Sequence, residues 1–197
     1  DSELGPIPEG CRVGKLGELC NILGSGGTPT TTKVEYYGDK YDWFTTKELQ
    51  DTFLLSSEKK ISEAGLNNSS AKLFPKNSVL IAIYAAPTVG RLGILSHEGT
   101  FNQATCGLYA NENSSNEFLF LYLLNERRNL NNLASGAAQQ NLNVGIIKNY
   151  LVLCPDKITN KKFADTVKPL FEEIEVNIKK QANLLKQKKS LLKFLIK

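Results

Sequence analysis

The sequence contains no methionine, a single histidine and a single tryptophan among 197 residues. With no Met even at position 1, it reads as a fragment, a processed product or a trimmed chain. The one histidine, His97, confines imidazole chemistry to the loop "SHEGT". A Ser–His–Asp hydrolase would rest wholly on it, and a surface histidine is the commoner use of such a position. The four cysteines, Cys11, Cys20, Cys106 and Cys154, are scattered and form no C-x-x-C pair. That spacing argues against a zinc site and, in a chain this long, against a disulfide framework; free buried thiols are expected. No apolar run approaches the ~20 residues that cross a bilayer, and "DSELGPIPEG" has no signal-peptide pattern, so a cytoplasmic protein without a membrane span is expected.

Catalytic motifs are also missing. "GSGGTP" (Gly24 to Pro29) lacks the third glycine of a dinucleotide loop and the Gly-Lys-Ser/Thr of a P-loop, which leaves a tight turn or bulge as the default. There is no Gly-x-Ser-x-Gly elbow. There is no Asn-Pro-Pro-aromatic run, which an amino-methyltransferase needs to hold a flipped base. Pro155-Asp156-Lys157 faintly resembles metal-nuclease spacing, but a turn at the end of a strand explains it better. Catalysis within this chain is not expected.

What is present is an ordinary globular composition, 41% hydrophobic and 22% charged, in a length that supports one good core or a core with an appendage. The net charge of +4 is unevenly spread: from Lys157 onward 11 lysines face 4 acidic residues, whereas the first 156 residues carry 13 basic and 16 acidic side chains. A basic stripe of this kind either meets phosphate or is the solvated face of a helix.

The pattern divides the chain at the same place. Residues 1–156 mix short apolar runs with Gly, Pro, Asn and Ser. Strands are expected at "SVLIAIY" (Ser78 to Tyr84), "LGILS" (Leu92 to Ser96), "TCGLYA" (Thr105 to Ala110) and "YLVLC" (Tyr150 to Cys154). Such strands suit a curved mixed sheet or a small barrel. Ser114, three residues before Glu117, predicts a capping box and a helix through Arg127 and Arg128 to about Gly136. Residues 157–197 form the second region, helical to the end, with a kink or restart expected at Pro169. Beyond it Phe171, Ile178, Leu185 and Leu192 recur every seven residues. Ile174, Leu184, Leu191 and Leu195 widen the stripe, while Asn177, Gln181 and Lys188 interrupt it. An isolated helix would expose this stripe, so a partner helix is expected, the alternative being that it folds back on its own domain. The fold class is therefore α+β: a globular mixed α/β domain with a curved sheet, then a long coiled-coil-type helix.

Recognition suits the remaining features. Amides read adenine edges, Arg and Lys read guanine, and hydroxyls hold phosphates. "IYAAPTVGRLG" offers Tyr84, Thr88 and Arg91 around a turn. "WFTTKEL" offers Thr45, Thr46 and Lys47 after Trp43, itself expected in the core rather than as a stacking platform. "ASGAAQQNLN" (Ala134 to Asn143) offers Gln139, Gln140 and Asn141.

Several blocks resemble the specificity subunit of prokaryotic type I restriction–modification enzymes. They are "GKLGELCNILGSGGTPTTTKVEYYGDKYDWFTTKEL" with Gly26-Gly27-Thr28-Pro29, "ISEAGLNNSSAKLFPKNSVLIA", "FNQAT" and "ASGAAQQNLN". The resemblance spans nearly the whole chain. Two features depart from it: Cys11 stands where the family usually has Trp, and "CPDKITNKKFADT" lacks the usual Pro-Leu-x-Glu-Gln entry to the helix. Family members carry two target-recognition domains and two spacer helices, so this chain looks like half a subunit. The resemblance implies a non-catalytic protein that binds double-stranded DNA and docks methylation (M) and restriction (R) subunits. S-adenosylmethionine, ATP and Mg2+ would belong to those partners and no cofactor to this chain. The candidate DNA contacts are then Thr28, Thr46, Lys47, Tyr84, Thr88, Arg91, Gln139, Gln140 and Asn141, the amide run being either base-reading or architectural. Phe171, Ile174, Ile178, Leu185, Leu192 and Leu195 would pair the helix with a second copy or with the second half of the same subunit.

Overall fold

A computed structural model describes residues 4–84, 87–136 and 141–195. The strands are β1 (Cys11–Lys15), β2 (Cys20–Ser25), β3 (Tyr37–Phe44), β4 (Thr52–Leu54), β5 (Lys59–Ile61), β6 (Val79–Ala82), β7 (Leu92–Leu95), β8 (Thr100–Phe101), β9 (Thr105–Ala110) and β10 (Leu151–Pro155). The helices are α1 (Glu63–Asn67), α2 (Asn116–Asn125), α3 (Arg127–Gly136), α4 (Val144–Asn149) and α5 (Lys157–Leu195). Three sheets result: β2-β9-β6-β7-β4, β5-β3-β8 and the ribbon β1-β10. Pairing is mixed, since β4 runs parallel to β7 and β3 to β8 while the other pairs are antiparallel.

The apolar run at β6 is continuous because both its faces are covered. Val79 and Ile81 join a core shared with Leu119, Leu123 and Leu130 of the helical layer. Leu80 and Ala82 face the other way, into a core built with Phe44, Phe74 and Phe101 beside the three-stranded sheet. Each fully buried Leu, Ile or Phe contributes roughly 1.5–3 kcal/mol. Gly107 lies within β9 for a packing reason: a Cβ there would meet the rings of Phe101 and Phe74, which lie tilted with centroids 4.8 Å apart. Trp43 is buried as expected, and its indole N–H donates to the Gly27 carbonyl at 2.9 Å.

Three local expectations are corrected. The helix cap is Ser115, which accepts from the Phe118 N–H at 3.1 Å, one residue later than the capping-box spacing implies. The single helix to Gly136 is two helices, because α2 closes at Glu126 and α3 begins at Arg127. At the break, the Glu126 carboxylate accepts from Tyr150 Oη at 2.6 Å, a contact made across 24 residues of sequence. Finally, α5 runs unbroken through Pro169 over 39 residues. Pro169 sits on the exposed face, so the carbonyl deprived of its N–H partner is open to water. Asp156, suspected only weakly of metal chemistry, starts this helix instead, accepting from the Thr159 N–H at 2.7 Å. Of the four thiols, Cys106 and Cys154 are buried and Cys11 and Cys20 half-buried, all unbridged.

At ~1.5 Å per residue α5 is about 58 Å long. Its first half docks on the body. Phe163 meets Phe118, and Phe171 meets Phe53 and Phe120 edge-on at 6.3 and 5.8 Å. Ile178 packs on the same core. From Lys179 to the end of the described helix every residue is exposed, including Leu184, Leu185, Leu191, Leu192 and Leu195. The two expectations for the stripe thus divide: Phe171 and Ile178 fold back on the body, whereas Ile174, at 47% exposure, and the leucines beyond Ile178 stay bare.

Candidate nucleic-acid interface

Four polar segments gather at one end of the central sheet. The hairpin between β6 and β7 closes through Gly90 N–H to Ala82 O and Ala82 N–H to Arg91 O, both 2.9 Å. Its base is held to the turn between β8 and β9, where Ala104 O accepts from the N–H groups of Ile83 and Tyr84 at 2.9 and 3.3 Å. That turn in turn touches the end of β3, through Asn102 N–H to Phe44 O at 2.9 Å. The loop after Phe44 crosses to the start of β7 and ends at Asp51, whose N–H donates to Leu92 O at 2.8 Å and whose Oδ1 accepts from Leu92 N–H at 2.9 Å. The segment after β2 is laid along the same edge by Gly26 N–H to Thr105 O and Gly27 N–H to Phe101 O. Gly26 and Gly27 are required there, since a Cβ on either would overlap the backbone of Phe101 or Ser70.

Most of the residues singled out in the sequence therefore meet. Thr28 Oγ1 donates to Gln103 Oε1, tying the opening block to the β8–β9 turn. Tyr84 is 38% exposed, Thr88 and Arg91 are half-buried, and Thr88 Oγ1 donates weakly to Tyr84 O at 3.4 Å. Lys47 is exposed on its loop, whose turn is fixed by Glu48 accepting from Thr45 N–H and Oγ1 at 2.6 and 3.0 Å. Thr46 is the exception, being 6% exposed and unable to offer its hydroxyl to a surface ligand. Gln139 and Gln140 lie outside the described residues. Asn141 is half-buried and leads into α4, capped by Asn143 Oδ1. That helix packs on the 3-10 turn Leu16–Leu19, at the far end of β2 from Thr28, so Asn141 stands apart from the loop cluster.

Two residues of this edge carry no obvious sequence signal. Gln103 was visible only as part of "FNQAT". Arg127, on the next element in space, forms a forked pair with Asp51, its NH1 lying 3.0 Å from Oδ2 and its NH2 on Oδ1, while its Nε donates to Gly90 O at 2.9 Å.

A Ser, a His and an Asp do meet elsewhere, although His97 lies at the surface as expected, its side chain 41% exposed. His97 Nε2 lies 2.8 Å from Asp42 Oδ2 and Nδ1 lies 3.0 Å from Ser96 Oγ. The arrangement is structural. The buried Ser96 hydroxyl donates to Leu54 O at 2.7 Å, so its proton is not passed to the imidazole. Burial raises the Asp42 pKa, but two hydrogen bonds from Ser57, one with His97 and the charge of Lys60 outweigh it and leave the carboxyl below its ordinary 3.8. Among the described residues no cluster of His, Cys, Asp and Glu could hold a metal ion, and no helix is long and apolar enough to cross a membrane.

Comparison with known proteins gives this geometry its context. Residues 8–186 match the family described as "Type I restriction modification DNA specificity domain". The chain is 26% identical over 193 residues to the type I restriction enzyme MjaIX specificity subunit of Methanocaldococcus jannaschii, covering 95% of the chain and 44% of that protein. It is 28% identical over 171 residues to the HindI specificity subunit of Haemophilus influenzae, covering 85% of the chain and 37% of that protein. Its fold matches the S subunit of a type I restriction–modification system from M. genitalium with a TM-score of 0.64 at 14% identity, over 93% of this chain and 45% of that one. The HsdS subunit of Thermoanaerobacter tengcongensis matches with a TM-score of 0.60 at 18% identity, over 90% and 42%. The chain thus spans less than half the length of these relatives.

Proposed function

The chain belongs to the type I restriction–modification DNA specificity family, and we propose that it reads one half of a bipartite duplex DNA target without catalysing a reaction itself. The observation that carries this reading is the convergence of Thr28, Gln103, Lys47, Tyr84, Thr88 and Arg91 on one edge of the sheet. Donors, acceptors and two cations brought together on loops, over a rigid core, suit base and phosphate contact. Methylation and restriction subunits would supply S-adenosylmethionine, ATP and Mg2+ chemistry, docking on the body and on α5, in a prokaryotic cytoplasm. The bare distal half of α5 would pair with a second copy or with the other half of a longer subunit, setting the gap between two half-sites.

The test is a base-substitution series on the selected DNA target. Arg91→Ala should cost roughly 1–3 kcal/mol and relax preference at one position, whereas Lys47→Ala should weaken all sequences alike. If both variants bind every sequence as wild type does, this edge is not the interface, and a non-catalytic oligomerisation module becomes the better description.

A further inference from the structure

We infer that the Arg127–Asp51 pair is a positioning element that sets the target-reading loops relative to one another, and not itself a DNA contact. The inference rests on the functional reading above. Three separate segments cross at this pair. Asp51 ends the loop that carries Lys47, and it receives Leu92 N–H at the start of β7. Arg127 opens α3, the helix that runs on toward the amide-rich segment. Its Nε also holds Gly90 O, in the hairpin that carries Thr88 and Arg91. One guanidinium thereby uses Nε, NH1 and NH2 on two elements of the loop cluster at once, which spends its fork inward.

The surroundings are shaped for this contact. Asp51 has φ +58°, a left-handed conformation that Asp tolerates better than most side chains. Gly90 has φ +81°, and a Cβ there would lie 3.0 Å from Arg127 Cγ and 2.9 Å from Asn131 Oδ1. The left-handed turn favours glycine, and the hairpin approaches α3 closely enough that a Cβ would press on the Arg127 and Asn131 side chains. The pair is partly shielded, with side-chain exposures of 29% for Arg127 and 34% for Asp51. Each partner also holds backbone: the Asp51 carboxylate accepts from Leu92 N–H and Arg127 Nε donates to Gly90 O. An exposed Arg meant for phosphate would have neither its fork filled nor such a neighbour. Because this pair adds a side-chain tie between the Lys47 loop, the hairpin and α3, beside the backbone bonds at their bases, its loss should disturb base reading while leaving phosphate attraction intact.

The experiment compares Asp51→Asn and Arg127→Lys in the full chain co-purified with its methylation subunit. Asn keeps the left-handed turn and an acceptor for Leu92 N–H, and Lys keeps the positive charge. Specific and non-specific duplex affinities are measured across a salt series. The expected result is a loss of about tenfold in the ratio of specific to non-specific affinity for each variant, the size of one weakened base contact. The salt slope on non-specific DNA should be unchanged, and the double variant should be no worse than either single one. A thermal melt on each variant, with specificity compared at a temperature where both are folded, separates this from plain unfolding. Unchanged specificity in both folded variants overturns the proposal alone. Loss confined to Arg127→Lys, with Asp51→Asn reading DNA as the unmodified chain does, also overturns it, since Arg127 would then act on DNA directly and not through Asp51. Absence of any specific binding by the unmodified chain overturns the functional reading and this proposal with it.

Discussion

Glu175 on α5 meets Lys76 of the globular body at 3.2 Å, and it also holds Lys179 one turn along the helix at 2.6 Å. The carboxylate is nearly buried while both ammonium groups are half-exposed. It sits between the docked and the bare halves of α5, so it marks where the helix leaves the domain.

Burial raises the Glu175 pKa, but the hydrogen bonds from Lys179 and Lys76 outweigh it and hold the carboxyl below its ordinary 4.5. A carboxyl depressed in the folded state adds stability above its unfolded pKa and loses it as pH falls through the folded one. Docking of α5 should therefore loosen on acidification below about pH 4.5. Glu175→Gln should lower stability at pH 7 by about 1 kcal/mol and flatten its pH dependence on the acid side of the ordinary 4.5. Chemical denaturation at several pH values checks both.

Pro169 removes one hydrogen bond from an otherwise continuous helix and lies on its solvent face. Pro169→Ala should raise stability by roughly 1–3 kcal/mol, read as an increase in Tm. An unchanged or lowered Tm would mean that the proline shapes the docking of Phe171.

Gly27 lies against the Ser70 backbone and offers its carbonyl to Trp43. Gly27→Ala should cost about 2–3 kcal/mol, because the obstacle is backbone and cannot rotate away. Tryptophan fluorescence should shift toward an exposed indole, since Trp43 is the single tryptophan of the chain.

Leu185 and Leu192 are 52% and 43% exposed on the projecting half of α5. If α5 pairs with a second copy, replacing both with Lys should abolish that self-association in analytical ultracentrifugation while leaving the unfolding free energy of the body within about 0.5 kcal/mol of wild type, as surface changes do. Reversing Lys188 and Lys189 to Glu gives a separate readout: if this face meets phosphate, the salt dependence of DNA binding becomes shallower.

How far the sequence carried the reading depends on where each determinant lies. β9 matched "TCGLYA" from Thr105 to Ala110 because its pattern is local. β3 went unread because Gly38, Asp39 and Lys40 leave its first half polar and exposed. The α2–α3 break could not be read, since its partner Tyr150 is distant in sequence. The same holds for Asp42 with His97, and for Arg127 with Asp51 and Gly90. The loop candidates were legible by residue type, yet Thr46 shows that type does not fix exposure. Gln103 became notable only when folding set it beside Thr28. The C-terminal stripe gave the helix, its apolar face and two ways to cover it, but not that Phe171 and Ile178 would be the residues that dock on the chain's own body.

The central claim is sequence-specific reading of DNA by this one domain, and a binding selection from random duplex DNA, with the chain co-purified with its methylation subunit, tests it most directly. The account calls for a short enriched motif, present once if a single domain reads, or twice as an inverted repeat with a fixed gap if two copies pair through α5. Recovery of no enriched sequence at low salt would contradict it.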